Sequence, residues 1–169
     1  MRPAAKDNAD KVLEQLLTLE REHRISAGAI VLQGDKILLV RYINSQGQSY
    51  LVGPGGGVLI NESTAQAAIR EVREETGLEV NASKVLIVED LLSKRHRITK
   101  IWFLCKLTGG QLTNTQGAKD EGIAEVGWYR RDQLQNESVY PPPLLEHKWD
   151  SFHRDNWQTI YLDLRETDF

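Results

Sequence analysis

The sequence predicts an α+β domain, a mixed β-sheet with few helices. Three observations carry that expectation. Short apolar or alternating runs recur between Ser26 and Arg130, separated by turn-forming residues. A single well-delimited helical segment interrupts them between Ser63 and Thr76. A second amphipathic helix is expected ahead of them, over residues 7–22.

Taken in order, the N-terminal helix would carry Val12, Leu13, Leu16 and Leu17 on its apolar face. Its expected role is packing on the domain, with a homodimer contact or a substrate wall as the alternatives. Ala27–Leu32 and Lys36–Tyr42 flank Gly34-Asp35, a two-residue hairpin signal. A short strand is expected at Tyr50–Val52, then a glycine-rich loop, Gly53-Pro54-Gly55-Gly56-Gly57. Val80–Asp90, Thr99–Thr108 and Val126–Arg130 read as strands, and Asp132–Leu134 as a helix start. Pro141-Pro142-Pro143 predicts a rigid extended turn. The tail from Leu144 holds Trp149, Phe152, Trp157 and Tyr161, enough aromatic surface to fold onto the domain. The expected plan is a helical extension over residues 1–25 and one domain over residues 26–169.

The central helix carries the chemistry. Ser63 or Thr64 can cap it, and Gly77 can close it in the left-handed conformation. Ala65, Ala68, Ile69 and Val72 form an apolar stripe at helical spacing. Glu71, Glu74 and Glu75 share the face beside that stripe. Local physics opposes this arrangement twice. Like charges at i, i+3 and i+4 repel, and the helix C-terminus is the negative end of the macrodipole. A hard divalent cation with oxygen ligands reverses both penalties. Arg70, four residues before Glu74, can pair with it. The bland alternative is a solvated acidic face, which leaves the glycine loop, the caps and the spacing unexplained together.

These residues resemble a Nudix box, G-x5-E-x7-R-E-U-x-E-E-x-G-U with U aliphatic. Gly56, Glu62, Arg70, Glu71, Val72, Glu74, Glu75, Gly77 and Leu78 fill all nine fixed positions. Leu59 and Asn61 stand where many members have glutamate and glycine, and the missing carboxylate leaves the number of metals open. The resemblance implies the Nudix fold, a mixed sheet sandwiched between helices. It also implies hydrolysis of a diphosphate bond in a nucleoside diphosphate-linked substrate. Mg²⁺, with Mn²⁺ as substitute, would be held by Glu71, Glu74, Glu75 and the Gly56 carbonyl, with Arg70 orienting them and Glu62 supporting the loop. Glu121, just before the Val126 strand, is the candidate for a further ligand or the general base, against a plain acidic loop. The motif covers Gly56–Leu78, and the strand order over residues 26–134 fits; nothing covers residues 1–25 or 135–169.

Composition bounds the rest. A 40% apolar and 27% charged content is that of a globular chain, and a net charge of −3 carries no nucleic-acid footprint. One cysteine, Cys105, excludes an internal disulfide and reads as a small core residue. No apolar run approaches a membrane span and no signal core opens the chain, so the expectation is a cytoplasmic protein without membrane contact. The expected partner is a small-molecule nucleotide or nucleotide sugar. Arg41 and Tyr42 are candidates to face the cleft, and Tyr140 to stack on a base; Trp102 and Trp128 read as core. The run Lys94–Arg97 with Lys100 reads as a hairpin end, or as phosphate contacts.

Substrate identity is where the residues fall silent. The proline that follows the box in many ADP-ribose hydrolases is absent, since Leu92 and Ser93 occupy that region, and no dinucleoside polyphosphate tyrosine is present. ADP-ribose or a nucleotide sugar and a nucleoside triphosphate remain level. The alternative function is a non-catalytic nucleotide sensor or interaction module, which the intact box carboxylates disfavour.

Overall fold

Gly34 adopts a positive φ of 60° and closes a two-residue hairpin between β1 (Glu22–Gln33) and β2 (Lys36–Ile43). No non-glycine residue has positive φ among those described, so Asp35 takes the negative φ of a turn led by glycine. The computed structural model describes residues 22–44 and 46–167. The helix expected over residues 7–22 therefore lies, apart from Glu22, outside the described residues. β1 begins at Glu22 rather than near Ser26, so residues 22–25 belong to the sheet and not to a helical extension. The cause is β6 (His96–Gly110), which pairs in parallel with β1 from Glu22↔His96 onward.

The hairpin joins two half-sheets. β1 pairs with β2 only at Leu32↔Ile37 and Gln33↔Lys36. Beyond that point β1 gives its free edge to β4 (Gly55–Gly57), and β2 gives its own to β3 (Ser49–Val52). β5 (Leu78–Leu92) and β9 (Ile160–Glu166) extend the first half beyond β6. β7 (Ile123–Arg130) and β8 (Val139–Tyr140) extend the second. The β1–β6, β3–β8 and β5–β9 pairs are parallel and the rest antiparallel, giving the mixed sheet expected. The glycine stretch is thus a short strand as well as a loop. Its lack of side chains allows this, because a Cβ on Gly55 would fall 2.4 Å from the Ala27 carbonyl oxygen.

α1 (Thr64–Thr76) covers one face. Ser63 caps it by accepting from the Gln66 N–H at 3.2 Å, and the Gln66 side chain accepts from the Ser63 N–H at 2.8 Å, a capping box. Gly77, φ 73°, closes it. Ala67, Ala68 and Val72 pack on Ala27, Ala29, Val31 and Phe103, with Ala65 and Ile69 at the margin. Cys105 lies in this layer, and burial pushes its thiol up to about 12, as suits a core residue. The opposite face holds Ile30, Leu86, Trp102, Leu134, Leu144 and Phe152. Pro143 opens α3 (Pro143–Glu146), so the proline run starts a helical turn instead of remaining extended. Trp149 and Phe152 are buried as expected, whereas Tyr161 on edge strand β9 is 76% exposed. No helix among the described residues is long and apolar enough to cross a membrane.

Candidate active site

α1 turns its last two turns toward the line where the half-sheets part. Glu71 and Glu75, one helical turn apart, point inward, 4% and 0% exposed. Gly56, on β4, lies directly against Glu71: a Cβ there would fall 2.4 Å from Glu71 Oε1. The Gly55 N–H donates to Glu75 Oε1 at 3.4 Å. The third carboxylate arrives from far along the chain. Thr115 caps the short helix α2 (Gln116–Asp120) and its hydroxyl donates to the Glu74 main-chain carbonyl, fastening α2 to the end of α1. Glu121 follows immediately, and one carboxylate oxygen from each of Glu71, Glu75 and Glu121 lies within 4.8 Å of the others.

Three carboxylates this close are unfavourable as they stand. Burial pushes the Glu71 carboxyl above the usual range against the pull of Arg70. Burial, then the charges of Glu71 and Glu121, pushes Glu75 well above it. Glu121 is raised by burial and by Glu74. Glu71 Oε2 and Glu75 Oε2 are buried without a hydrogen-bond partner. Orphaned anionic oxygens, a glycine backbone pressed against one of them and a third carboxylate opposite are the donor set a hard divalent cation takes.

Arg70 is the organiser. Its Nε and Nη2 donate to Glu62 at 3.0 and 2.7 Å, and Nη2 also donates to the Gly57 carbonyl at 3.0 Å. Its Nη1 donates to Glu71 Oε1 at 2.8 Å and to Glu74 Oε2 at 2.9 Å. One guanidinium thereby ties β4, the loop before α1 and two box glutamates together. Glu62 also accepts from the Leu59 N–H at 2.9 Å, so it supports the loop, and Arg70 holds its carboxyl below the usual range. Glu74 is not brought to the cluster. It stands on the exposed rim, spent on Arg70.

Beside the cluster lies a pocket of about 580 Å³ whose lining includes Tyr42, Tyr50, Tyr140, Ser138 and Arg165. Tyr42 and Tyr50 stack with ring centres 5.4 Å apart, and Tyr140 meets Tyr50 edge-on at 6.1 Å. Burial, then the charges of Glu75, Glu121 and Glu71, raises the Tyr42 hydroxyl, which joins the pocket to the carboxylates. Burial pushes Tyr50 up to about 12. Arg41, the other cleft candidate on β2, is spent on Glu137 at 2.9 and 3.0 Å and on Ser49. Trp102 lies in the core of one face, and Trp128 packs at the margin of the core on the other. Lys94 and Arg95 sit at the β5–β6 hairpin end, exposed. The tyrosine cluster assembles from β2, β3 and β8, three elements with no common motif; only Tyr42 and Tyr140 stood out in the sequence.

A two-part sheet with one capped helix feeding buried carboxylates into its cleft defines an α+β domain suited to cation and phosphate chemistry. A NUDIX domain family model matches residues 22–154, and the chain belongs to that family. It is 32% identical over 130 residues to 8-oxo-dGDP phosphatase NUDT18 of Danio rerio, covering 74% of this chain and 38% of that protein. The chain thus spans well under half the length of that relative. It is 30% identical over 117 residues to an ADP-ribose pyrophosphatase of Methanocaldococcus jannaschii, covering 68% of this chain and 69% of that one. Among solved structures, an ADP-ribose pyrophosphatase from Streptococcus suis superposes with TM-score 0.60 at 24% identity, over 82% of this chain and 98% of that one. A NUDIX hydrolase from Nitrosomonas europaea superposes with TM-score 0.65 at 20% identity, over 87% and 81%. These likenesses are of fold.

Proposed function

We propose that the domain is a metal-dependent pyrophosphohydrolase that cleaves a diphosphate bond in a nucleoside diphosphate-linked substrate by attack of water on phosphorus. The observation that carries this is the pair of buried, partnerless oxygens, Glu71 Oε2 and Glu75 Oε2, facing Glu121 beside an aromatic pocket. Glu71, Glu75 and Glu121 would hold Mg²⁺, or Mn²⁺ in its place, with the Gly56 carbonyl at hand. The bound cation supplies neutralisation of diphosphate charge and a water acidic enough to attack near neutral pH. Arg70 keeps the Glu71 carboxylate aimed inward. Glu121, the exposed member of the three, would serve either as a further ligand or as the general base that takes the proton of the attacking water. The tyrosines stack on the nucleobase and exclude water from one side.

The relatives' names support the substrate class: ADP-ribose and 8-oxo-dGDP are both built on a nucleoside diphosphate. The test is product identification across nucleoside di- and triphosphates, oxidised guanine nucleotides, ADP-ribose and nucleotide sugars, with Mg²⁺ or Mn²⁺, for wild type and Glu75→Gln. Metal-dependent cleavage lost in the variant is the expected result. Nucleotide binding without cleavage of any panel member would replace this reading with that of a sensor.

A further inference from the structure

Behind the carboxylate cluster, on the sheet face that carries Trp102, sits a charged network that the reaction above does not use. Glu89 on β5 is 2% exposed and lies directly across from Lys100 on β6. It accepts from Trp102 Nε1 at 2.8 Å and from Arg165 Nη2 at 3.1 Å. Lys100 Nζ lies over the Trp102 ring, 4.3 Å from its centre. Arg165 lies over the Tyr140 ring at 4.7 Å and lines the tyrosine pocket; its Nε is buried without a partner. Arg165 comes from β9, outside the residues 22–154 that the family model matches.

Glu89 is therefore ion-paired with Arg165 at 3.1 Å and has Lys100 as its cross-strand neighbour. Burial pulls the Lys100 ammonium below its ordinary pKa, while Glu89, then Glu75 and Glu71, act to hold its charge. The Lys100 charge is thus under the influence of both Glu89 and the cluster glutamates, and Arg165 both bonds Glu89 and lines the tyrosine pocket. Once a divalent cation has neutralised Glu71 and Glu75, Lys100 and Arg165 retain a single counter-charge between them. The network, which reaches the pocket through Arg165, then carries an unbalanced positive charge.

We propose that Lys100 and Arg165 form an anion subsite that grips phosphate oxygens of the substrate between the tyrosine pocket and the metal-binding carboxylates, with Glu89 as their shared counter-ion. The inference rests on the catalytic reading for its substrate and adds a subsite that only forms when the carboxylates are neutralised. Arg165 lines the pocket and offers a planar guanidinium of which one arm is held by Glu89, and Lys100 supplies a compact charge over the Trp102 ring. Binding of anion and divalent cation should accordingly be coupled, each favouring the other.

The test uses inorganic pyrophosphate as the probe, followed by tryptophan fluorescence, since Trp102 touches both Lys100 and Glu89. Wild type should bind it more tightly in Mg²⁺ than in EDTA. Lys100→Met and Arg165→Met should each weaken that binding about tenfold or more, the loss of a charge-assisted contact, while Mg²⁺ binding measured alone by calorimetry is not weakened. Arg165→Met, at the more exposed position, carries the test if Lys100→Met does not fold. Glu89→Gln keeps an acceptor for Trp102 but removes the counter-charge, so it should tighten pyrophosphate binding. A purely structural network predicts the opposite sign for Glu89→Gln. Methionine variants that bind pyrophosphate as wild type does, or a Glu89→Gln variant that binds it less tightly, would overturn the subsite. Nucleotide hydrolysis with unaltered pyrophosphate affinities would sink the subsite and leave the catalytic reading standing; variant-sensitive pyrophosphate binding in a protein that hydrolyses nothing would do the reverse.

Discussion

Glu75→Gln should make the metal-free protein more stable and the metal-loaded protein less so. Glu75 is fully buried, its Oε1 holds one long hydrogen bond from Gly55, and its Oε2 holds none. An anion so placed is destabilising, by about 1–3 kcal/mol for an unsatisfied buried polar group. Glutamine keeps the acceptor for Gly55 and removes the buried negative charge beside Glu71 and Glu121. For a chain of this size each kcal/mol moves Tm by about 2–4 °C, so in EDTA near neutral pH the variant should melt several degrees higher. The pH dependence has a definite sign. Above the ordinary glutamate value of 4.5 and below its raised folded value, folded wild type holds a proton at Glu75 that the unfolded chain has lost. Stability of the metal-free protein therefore falls as pH rises through that window. The variant's advantage should shrink as pH is lowered through it. Saturating Mg²⁺ reverses the order, since a ligand at a hundred times its Kd adds about 2.7 kcal/mol, available only to wild type. The assay is thermal unfolding of both proteins in EDTA and in Mg²⁺ across acid to neutral pH. A variant that melts below wild type in neutral EDTA, or gains as much from Mg²⁺, would refute the reasoning.

Three further outcomes follow from the same geometry. Gly56→Ala places a methyl 2.4 Å from Glu71 Oε1 and should displace that carboxylate, with about 1–3 kcal/mol lost to overpacking and a clear drop in metal affinity by calorimetry. Arg70→Lys cannot serve Glu62, Glu71, Glu74 and Gly57 at once, so turnover should fall about 10–100-fold, as when a ligand loses its orienting partner, without global unfolding by circular dichroism. Glu121→Gln should slow turnover far more than Glu74→Gln, because Glu121 belongs to the inward cluster and Glu74 to the rim; equal effects on kcat would reverse those placements.

Local signals located most of the fold. The Gly34-Asp35 hairpin and the Ser63 and Gly77 caps depend on neighbours within a few residues, and each lies where its chemistry implies, whereas the buried stripe of α1 is rotated from the expected Ala65, Ala68, Ile69 and Val72 to Ala67, Ala68 and Val72. The misplacements came from pairing partners that lie far along the chain. Residues 22–25 carry exposed, unpatterned side chains, and only β6 makes them a strand. The glycine stretch reads as a loop because its strand character comes from the β1 edge. Helical periodicity groups Glu71, Glu74 and Glu75 on one face but cannot tell which members of that face turn inward. The sheet decides this, burying Glu71 and Glu75 and leaving Glu74 to Arg70. Lys100 reads with the basic run before it, yet β-strand alternation turns it onto the face that bears Trp102 while Lys94 and Arg95 stay at the hairpin end.

The division of labour among the glutamates accounts for how the helix accommodates an unfavourable charge pattern. Arg70 satisfies Glu62, Glu74 and one oxygen of Glu71, so much of the local repulsion is answered within the protein. What remains unanswered is confined to two inward oxygens and Glu121, on the cleft side of α1. Apolar packing of Ala67, Ala68 and Val72 holds the helix in place against that residue of strain. The capped ends fix its rotation, so that the strain cannot be relieved by turning the glutamates out to water. On the proposed reading a bound cation relieves this repulsion, so the stabilities of wild type and Glu75→Gln should cross on addition of Mg²⁺ rather than shift in parallel.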